Sequence, residues 1–197
     1  VVGMSPEEIE LFGKKEGVKK VSKRDIPLVE SSKEWGATTV SATMLLASKA
    51  GVEVFVTGGI GGVHRGAETT FDISRDLYEL AETPVSVVCS GAKAILDIAK
   101  ALEVLETLGV PVLSYKSKDF ANFYCLDSGY PSDKEVDSPL EVAEIIYAQR
   151  AFPLKGGILI TNPCPEKYAL SHAYIDKIIA KAIAEANEKG ITGKDVT

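Results

Sequence analysis

Lys93 occupies a position where a fully solvated lysine is not expected. If Ser90 caps a helix after the preceding strand, Lys93 is the third helical residue, where the helix dipole disfavours a cation. Its neighbours Cys89, Ala92 and Ile95 are apolar, and desolvation favours the neutral form of an amine. A neutral lysine is a nucleophile that can form a Schiff base with a sugar aldehyde. The alternative is a lysine whose stem lies along the surface with its charge in water.

Four glycines surround Ile60 in the stretch VTGGIGGVHRGAETTFDISRDL, residues 56–77. A dinucleotide-binding G-x-G-x-x-G pattern fails here because His64 stands where glycine is required. A phosphate-binding P-loop fails because Ala67 and Glu68 replace the required Lys and Ser or Thr. The pattern still predicts an amide-rich turn after a buried strand, which can present N–H groups to an anion. The alternative is a turn that serves tight packing alone.

Two aspartates and a histidine follow these glycines. Asp72 and Asp76 are four residues apart, a spacing that predicts a shared helical face. Asp72 is a candidate ligand for a hard divalent cation, because such cations prefer carboxylate oxygen. The alternatives are that Asp72 caps the helix and that Asp76 is solvated. His64 can project into the space that the loop surrounds, although a lone histidine is more often structural.

The densest basic cluster lies near the start of the sequence. It consists of Lys19, Lys20, Lys23 and Arg24. Such a run is usually a solvated face of the protein. If a phosphate ligand binds nearby, one of these lysines is its expected counter-charge.

Composition restricts the classes of function. The 197 residues carry a net charge of -6 with a pI near 5.1, which argues against nucleic-acid or anionic-membrane partners. Three widely spaced cysteines, Cys89, Cys125 and Cys164, indicate reduced, buried thiols in a cytoplasmic protein. No apolar run is long enough to span a bilayer, and no signal peptide is recognised. The chain opens without methionine, and we expect it to be part of a longer protein, truncated at both ends.

Strand and helix patterns alternate along the chain. Helices are predicted after Ser5, over residues 37–51, 74–83 and 91–109, after Ser138 and over residues 173–190. Strands are predicted over residues 52–57, 84–90, 110–115 and 156–163, the first covered on both faces, with a long loop over residues 118–137. This alternation predicts one α/β domain over residues 1–197, with a mostly parallel sheet and helices on both faces. Ligands bind such sheets beyond the carboxyl ends of the strands.

Five segments together carry a family resemblance. GATTVSATM, VFVTGGIGGVHRGAETTFDIS, VVCSGAKAILD, LETLGVPVLSY and ITNPCPE occur in this order along the chain. They resemble the pseudouridine-5'-phosphate glycosidase family, also called pseudouridylate synthase. The resemblance implies a manganese-dependent, homotrimeric α/β enzyme that reversibly cleaves pseudouridine 5'-phosphate into uracil and ribose 5-phosphate.

The resemblance also implies roles for individual residues. Lys93 corresponds to the family's nucleophile, which forms a Schiff base, and Asp72 corresponds to its manganese ligand. The residues that correspond to substrate contacts are Lys20, Val40, Ser74, Arg75 and Asp76. The family's proton-donating glutamate, from an N-terminal Glu-Ser-Thr motif, and a C-terminal asparagine are not found in this sequence. Glu68 is a weaker local candidate for the acid.

Two other functions use the same residues. A Schiff-base aldolase acting on a sugar phosphate would also need Lys93. A phosphosugar-binding domain without catalysis is expected instead if the missing glutamate is a true loss.

Overall fold

A parallel β-sheet forms the centre of the computed structural model, which describes residues 3–191 of the chain. The helices are α1 (Pro6–Lys14), α2 (Ile26–Ser32), α3 (Val40–Lys49), α4 (Ala67–Thr70), α5 (Arg75–Glu82), α6 (Ile98–Thr107), α7 (Pro139–Ala151) and α8 (His172–Glu188). The strands are β1 (Lys19–Val21), β2 (Gly36–Thr38), β3 (Val54–Val56), β4 (Ser86–Cys89), β5 (Val112–Tyr115), β6 (Lys134–Val136) and β7 (Leu159–Thr161). A 3₁₀ turn, Lys23–Asp25, connects β1 to α2.

The main sheet, within residues 3–191, has five parallel strands in the order β3-β4-β7-β5-β6. β7 comes last along the chain but lies between β4 and β5. A separate pair of parallel strands, β1 and β2, sets Lys20 opposite Ala37. Parallel strands joined by helical connections are the architecture that the alternating pattern predicts, and the α/β fold class is confirmed.

Helices cover both faces of the main sheet. Val87, Val112 and Leu159 belong to one buried cluster, together with residues of α3, α5 and α6. Leu113 and Ile160, each one position further along its strand, belong to a second cluster that contacts α7. Because successive strand residues point to opposite faces, these two clusters are the two sides of the sheet. The prediction of helices on both faces is confirmed.

The first strand of the main sheet differs from its prediction. The apolar run at residues 52–57 predicts a strand covered on both faces, but Val54 and Val56 are 48% and 70% exposed. β3 lies at the edge of the sheet and pairs with β4 alone in the part of the chain that the structure describes. The prediction of full coverage is wrong, because a strand's place in the sheet depends on the other strands and not on its own pattern.

The helix predicted over residues 37–51 begins later than its apolar pattern indicates. Gly36–Thr38 form β2, and α3 begins only at Val40. The main chain is drawn into the strand pair with β1, where Thr39 N–H donates to the Val21 carbonyl at 2.8 Å. The helices predicted after Ser138 and near the end of the chain are confirmed as α7 and α8.

The burial predicted for the three cysteines is found for two of them. Cys89 and Cys125 are buried, Cys164 is half-buried, and all three are free thiols. None of the helices found in residues 3–191 combines the length and apolar character that crossing a membrane requires.

Candidate active site

A cleft of about 740 Å³ opens at the carboxyl ends of the parallel strands. Its walls come from segments that follow strands: Ser22 after β1, Thr39 after β2, Gly61 after β3 and Lys93 after β4. Ligands bind α/β proteins at this edge, where helix N-termini present N–H groups. The cleft is therefore the candidate active site.

The residues that the family resemblance assigns to the site all line this one cleft. They are Lys20, Val40, Asp72, Ser74, Arg75, Asp76 and Lys93. His64 of the glycine loop lines it as well, and so do Lys23 and Arg24 of the basic cluster. Lys19 of that cluster pairs with Glu34 at 2.6 Å. These residues are far apart in the sequence, and the fold of the chain brings them together in the cleft.

Asp76 joins the glycine loop to the start of α3. Its Oδ1 accepts a hydrogen bond from Ser41 N–H at 2.9 Å, and its Oδ2 accepts one from Gly61 N–H at 2.8 Å. An added Cβ on Gly61 would lie 2.2 Å from Ser74 Oγ, so this contact requires glycine. Asp76 is buried rather than solvated. The shared helical face predicted for the two aspartates is wrong, because Asp72 precedes the start of α5.

Lys93 lies in a loop between β4 and α6, not in the first turn of a helix. Asp97 caps α6, and the main chain before it pairs with the glycine loop instead. Lys93 N–H donates to the Ile60 carbonyl at 3.1 Å, and Asp97 N–H donates to the Val63 carbonyl at 2.8 Å. The prediction that Ser90 caps a helix with Lys93 at its third position is therefore wrong. Hydrogen bonds to a neighbouring loop replace those of the predicted first helical turns.

The long loop predicted at residues 118–137 packs against the loop that carries Lys93. Gly91 has a φ of +94°, and an added Cβ there would lie 1.9 Å from the carbonyl oxygen of Ala121. Phe123 N–H donates to the Ser90 carbonyl at 2.9 Å. The predicted loop is confirmed except for β6 near its end. Main-chain contacts with this loop thus position the segment that carries the lysine.

The side chain of Lys93 is half-buried on the wall of the cleft. No ion pair in the described part of the chain involves its amine. The nearby thiol of Cys89 does not compete as a nucleophile, because burial raises its pKa to about 12 and keeps it protonated. The amine of Lys93 is therefore available to a ligand in the cleft.

Asp72 and His64 form a pair on the same wall. Nδ1 of His64 lies 3.8 Å from Oδ2 of Asp72, and His64 N–H donates to the Asp72 carbonyl at 3.0 Å. The side chain of Asp72 is 35% exposed and faces the cleft. Residues 3–191 contain no group of three or more His, Cys, Asp or Glu side chains that could hold a metal ion. The single carboxylate of Asp72 suits a hard cation that takes its remaining oxygen ligands from water and from a bound ligand.

The first turn of α3 forms the wall next to Lys20. Thr39 and Val40 line the cleft at this turn, which contains no acidic residue. The register of β1 and β2 sets Lys20 opposite Ala37, just before the turn. A helix N-terminus carries a partial positive charge, and the lysine adds a full one. This corner of the cleft can therefore bind an anion such as phosphate.

Four charged side chains form a network at the rim of the cleft. Nζ of Lys23 lies 2.9 Å from Oε2 of Glu79 and 2.8 Å from Oε2 of Glu82. Nη2 of Arg75 contacts the same two carboxylates. Hydrogen bonds from the network raise the pKa of Lys23, chiefly through Glu82, and the Lys23 amine lowers the pKa of Glu82 in turn. Two of the cations that line the cleft are thus paired within the protein.

Sequence reasoning missed Glu79, although part of its signal was present. Its side chain is fully buried and accepts a hydrogen bond from Thr83. Arg75, Glu79 and Glu82 recur at helical spacing, which places them on one face of α5. Such a charged face is usually solvated. Only the approach of Lys23, from a distant segment of the chain, completes a network in which the carboxylate of Glu79 is fully buried.

Two other polar residues of the glycine stretch lie outside this cleft. Glu68, the alternative acid, pairs with Lys100 at 2.9 Å, and hydrogen bonding to that amine lowers the pKa of Glu68. A carboxylate held in its ionised form is a poor proton donor. Arg65 is exposed and lines a separate cleft of about 360 Å³. Neither residue contributes to the candidate active site.

Known proteins match the chain along its whole length. A family model described as "Indigoidine synthase A like protein" matches residues 1–197. A pseudouridine-5'-phosphate glycosidase from Caldanaerobacter subterraneus subsp. tengcongensis is 55% identical over 196 residues, and one from Glaesserella parasuis serovar 5 is 51% identical. Both alignments cover all of this chain, which spans 64% of the first relative and 65% of the second.

Two solved structures have the same fold over the matched region. The crystal structure of the prealnumycin C-glycosynthase AlnA in complex with ribulose 5-phosphate aligns with a TM-score of 0.92 and 39% identity. This match covers 98% of the present chain and 64% of that one. The structure of an indigoidine synthase A-like protein from Thermotoga maritima aligns with a TM-score of 0.89 and 37% identity, covering 99% and 63% respectively.

Proposed function

The chain belongs to the indigoidine synthase A like protein family, and from that premise we propose that it forms the lysine-bearing site of a pseudouridine-5'-phosphate glycosidase. The reaction cleaves the carbon–carbon bond between uracil and ribose 5-phosphate and is reversible. One observation carries the proposal: Lys93, Lys20 and the first turn of α3 line a single cleft. The names of two relatives and the sugar phosphate bound to the C-glycosynthase support it.

The proposed chemistry explains the need for a lysine. A carbon-linked base leaves with difficulty, because the electron pair of the broken bond must stay on carbon. Protonating a leaving oxygen, as ordinary glycosidases do, does not help. If the amine of Lys93 attacks C1, the bond from C1 to the ring oxygen breaks and that oxygen leaves as the protonated 4-hydroxyl group. After the bound amine loses a proton, its lone pair forms a C=N bond as the C–C bond breaks. The uracil carbon takes the electron pair and a proton, and water then hydrolyses the iminium to ribose 5-phosphate.

The anion-binding corner holds the phosphate in this proposal. Lys20 supplies a full positive charge, and the first turn of α3, beginning at Val40, supplies the main-chain N–H groups other than that of Ser41, which donates to Asp76. Anchoring the phosphate there would hold the sugar between this corner and Lys93 on the wall after β4. Fixing a substrate at two points in this way lowers the entropic cost of bringing its C1 atom to the amine.

The residues at the start of α5 have mainly structural roles in this proposal, because most of their polar side-chain groups are already bonded within the protein. Both oxygens of Asp76 accept main-chain hydrogen bonds, so its proposed role is to hold the wall and not to bind the ligand directly. The guanidinium of Arg75 is held by Glu79 and Glu82, so Arg75 would contact the substrate through its main chain. Ser74 caps α5 by accepting a hydrogen bond from Asp76 N–H, and its hydroxyl lies on the cleft wall.

We also propose that Asp72 holds a divalent cation, Mn²⁺, beside His64. A single carboxylate fits an ion that takes its other ligands from water and phosphate. When bound, the ion supplies positive charge next to the anionic sugar phosphate. A homotrimeric assembly and a cytoplasmic location belong to the proposal as well, and light scattering of the purified chain tests the former.

Borohydride trapping tests the proposed role of Lys93. Reducing a mixture of the chain and ribose 5-phosphate is expected to fix a covalent adduct on Lys93, detected by peptide mass spectrometry. The variant Lys93→Arg keeps the positive charge but cannot form the imine, so its adduct is expected to disappear. Lys118→Arg, an exposed lysine outside the cleft, serves as the matched control and should leave the adduct unchanged.

A uracil-release assay separates the proposed reaction from its alternatives. Uracil released from pseudouridine 5'-phosphate, and lost in Lys93→Arg, supports the glycosidase. An adduct without uracil release favours a Schiff-base aldolase on a sugar phosphate. Ribose 5-phosphate binding with neither adduct nor uracil would contradict the enzymatic proposal and leave a phosphosugar-binding domain.

A further inference from the structure

We propose that Glu82, together with Glu79, restricts the cleft to ligands with a single phosphate group by neutralising Lys23 and Arg75 at its rim. The inference rests on the proposed function, because it concerns the phosphate end of the same cleft. It assigns the two carboxylates a part in substrate selection, although neither lines the cleft. Glu82 is the more accessible of the two, with a side chain 49% exposed, whereas that of Glu79 is fully buried.

The cations along the cleft divide into paired and unpaired groups. Lys23 and Arg75 both contact Glu79 and Glu82, so two cations and two carboxylates form a neutral network. Lys20 and Lys93 appear in none of the ion pairs found within residues 3–191. Arg24 is 86% exposed and lies 3.5 Å from Asp25.

The charge that remains suits a phosphate monoester. Such a group carries a charge of about −1.5 to −2 at pH 7, and Lys20 with the start of α3 attracts it, while the carboxylates of Asp72 and Asp76 on the same walls oppose further negative charge. A diphosphate brings at least one further negative charge into the same space. Within the network, that charge meets cations that are already paired and the carboxylates that pair them, so the second phosphate gains little attraction.

The network lies close enough to the anion-binding corner to act on it. Lys23 follows Ser22, whose Oγ lies 3.3 Å from Oγ of Ser41 in the first turn of α3. Arg75 is the first residue of α5, and its side chain reaches Glu82 near the end of the same helix. Both cations line the cleft. Loss of one carboxylate would therefore leave a net positive charge beside the phosphate position.

The experiment uses pyrophosphate and inorganic phosphate as probes on the full chain. Isothermal titration calorimetry measures the affinity of each probe for the unmodified protein and for Glu82→Gln. Removing the exposed charge is expected to tighten pyrophosphate binding about three- to fivefold, with less than about a twofold change for phosphate. Glu82→Asp keeps the negative charge, and its ratio of the two affinities should stay close to that of the unmodified protein.

A matched control separates selection from net charge. Glu106→Gln removes the same charge from an exposed position on α6 outside the cleft, and neither affinity should change. A purely structural network would alter the thermal stability of Glu82→Gln but not the ratio of the two affinities. An unchanged or weaker affinity for pyrophosphate in a folded Glu82→Gln protein would overturn the proposal.

The outcome is independent of the test of catalysis. If Glu82→Gln gains affinity for pyrophosphate while no uracil is released, the charge network selects the ligand and the glycosidase proposal fails. If uracil is released but the variant gains no affinity for pyrophosphate, the glycosidase proposal stands and the inference about Glu82 fails.

Discussion

The two walls of the cleft are held in place by different kinds of interaction. On the wall that carries Lys93, main-chain hydrogen bonds join the glycine loop to the lysine loop, and Gly61 and Gly91 permit close approach of neighbouring groups. On the wall that carries Lys23, the segment after β1 is tied to α5 through the carboxylates of Glu79 and Glu82. Main-chain contacts hold the proposed nucleophile, whereas charged side chains hold the rim.

This difference sets how each wall responds to change. Buried main-chain contacts depend on volume and backbone angle, and they are largely insensitive to salt. Partly exposed ion pairs contribute less to stability and weaken with salt and with titration. We therefore expect substitutions on the Lys93 wall to cost more folding free energy than those in the charge network.

Gly91→Ala is expected to have the largest effect. Its Cβ would lie 1.9 Å from the Ala121 carbonyl oxygen at a φ of +94°, so the main chain must move. We expect the free energy of unfolding, measured with urea, to fall by about 3 kcal/mol or more. Gly109→Ala is the control: its φ is +70°, but nothing lies within 4 Å, so the loss should be about 1 kcal/mol. Equal losses in both variants would contradict the main-chain account of this wall.

Asp76→Asn is expected to have an intermediate effect. The amide oxygen can accept only one of the hydrogen bonds now donated by Ser41 and Gly61, and its NH₂ group must face the other N–H. Unfolding free energy should fall by about 1–3 kcal/mol, and calorimetry should show weaker binding of ribose 5-phosphate. Asp133→Asn, which alters a hydrogen bond to Val112 N–H outside the cleft, should leave binding unchanged. Unchanged binding in Asp76→Asn would contradict the positioning role.

The charge network is expected to have the smallest effect on stability, and one that depends on pH. The pKa of Glu82 is lowered on folding, so its contribution is complete above its unfolded pKa of about 4.3 and is lost as pH falls through the folded pKa. The pKa of Lys23 is raised, so its contribution is complete below about 10.4 and is lost as pH rises through the folded pKa. The network should therefore stabilise the fold most between these two values.

Urea unfolding at two pH values measures this contribution. Because Glu82 is 49% exposed, we expect Glu82→Gln to lower the unfolding free energy at pH 7 by less than about 1 kcal/mol. At pH 3 the difference from the unmodified protein should shrink, because this pH lies below the unfolded pKa of Glu82, where the stability contributed by its lowered folded pKa is progressively lost. A difference that is the same at both pH values would show that charge pairing does not cause it.

Much of the fold could be predicted because its signals are local. The patterns of α7 and α8 identified both helices, and the buried strands β4, β5 and β7 were recognised from short apolar runs. The motifs also pointed to residues that line one cleft, although their roles in catalysis and binding stay predictions. β3 was recognised as a strand, but its exposure was not, because an edge position is a property of the whole sheet.

The sequence by itself determined the alternation of strands and helices, the α/β class and the chemistry available at Lys93, Asp72 and the basic cluster. Tertiary structure alone decided that the lysine segment is a loop, that Asp76 holds two walls together and that Glu79 is buried between two cations. The reason is the range of the interactions. Periodicity and capping act between residues a few positions apart, whereas these features depend on partners that only the folded chain brings into contact.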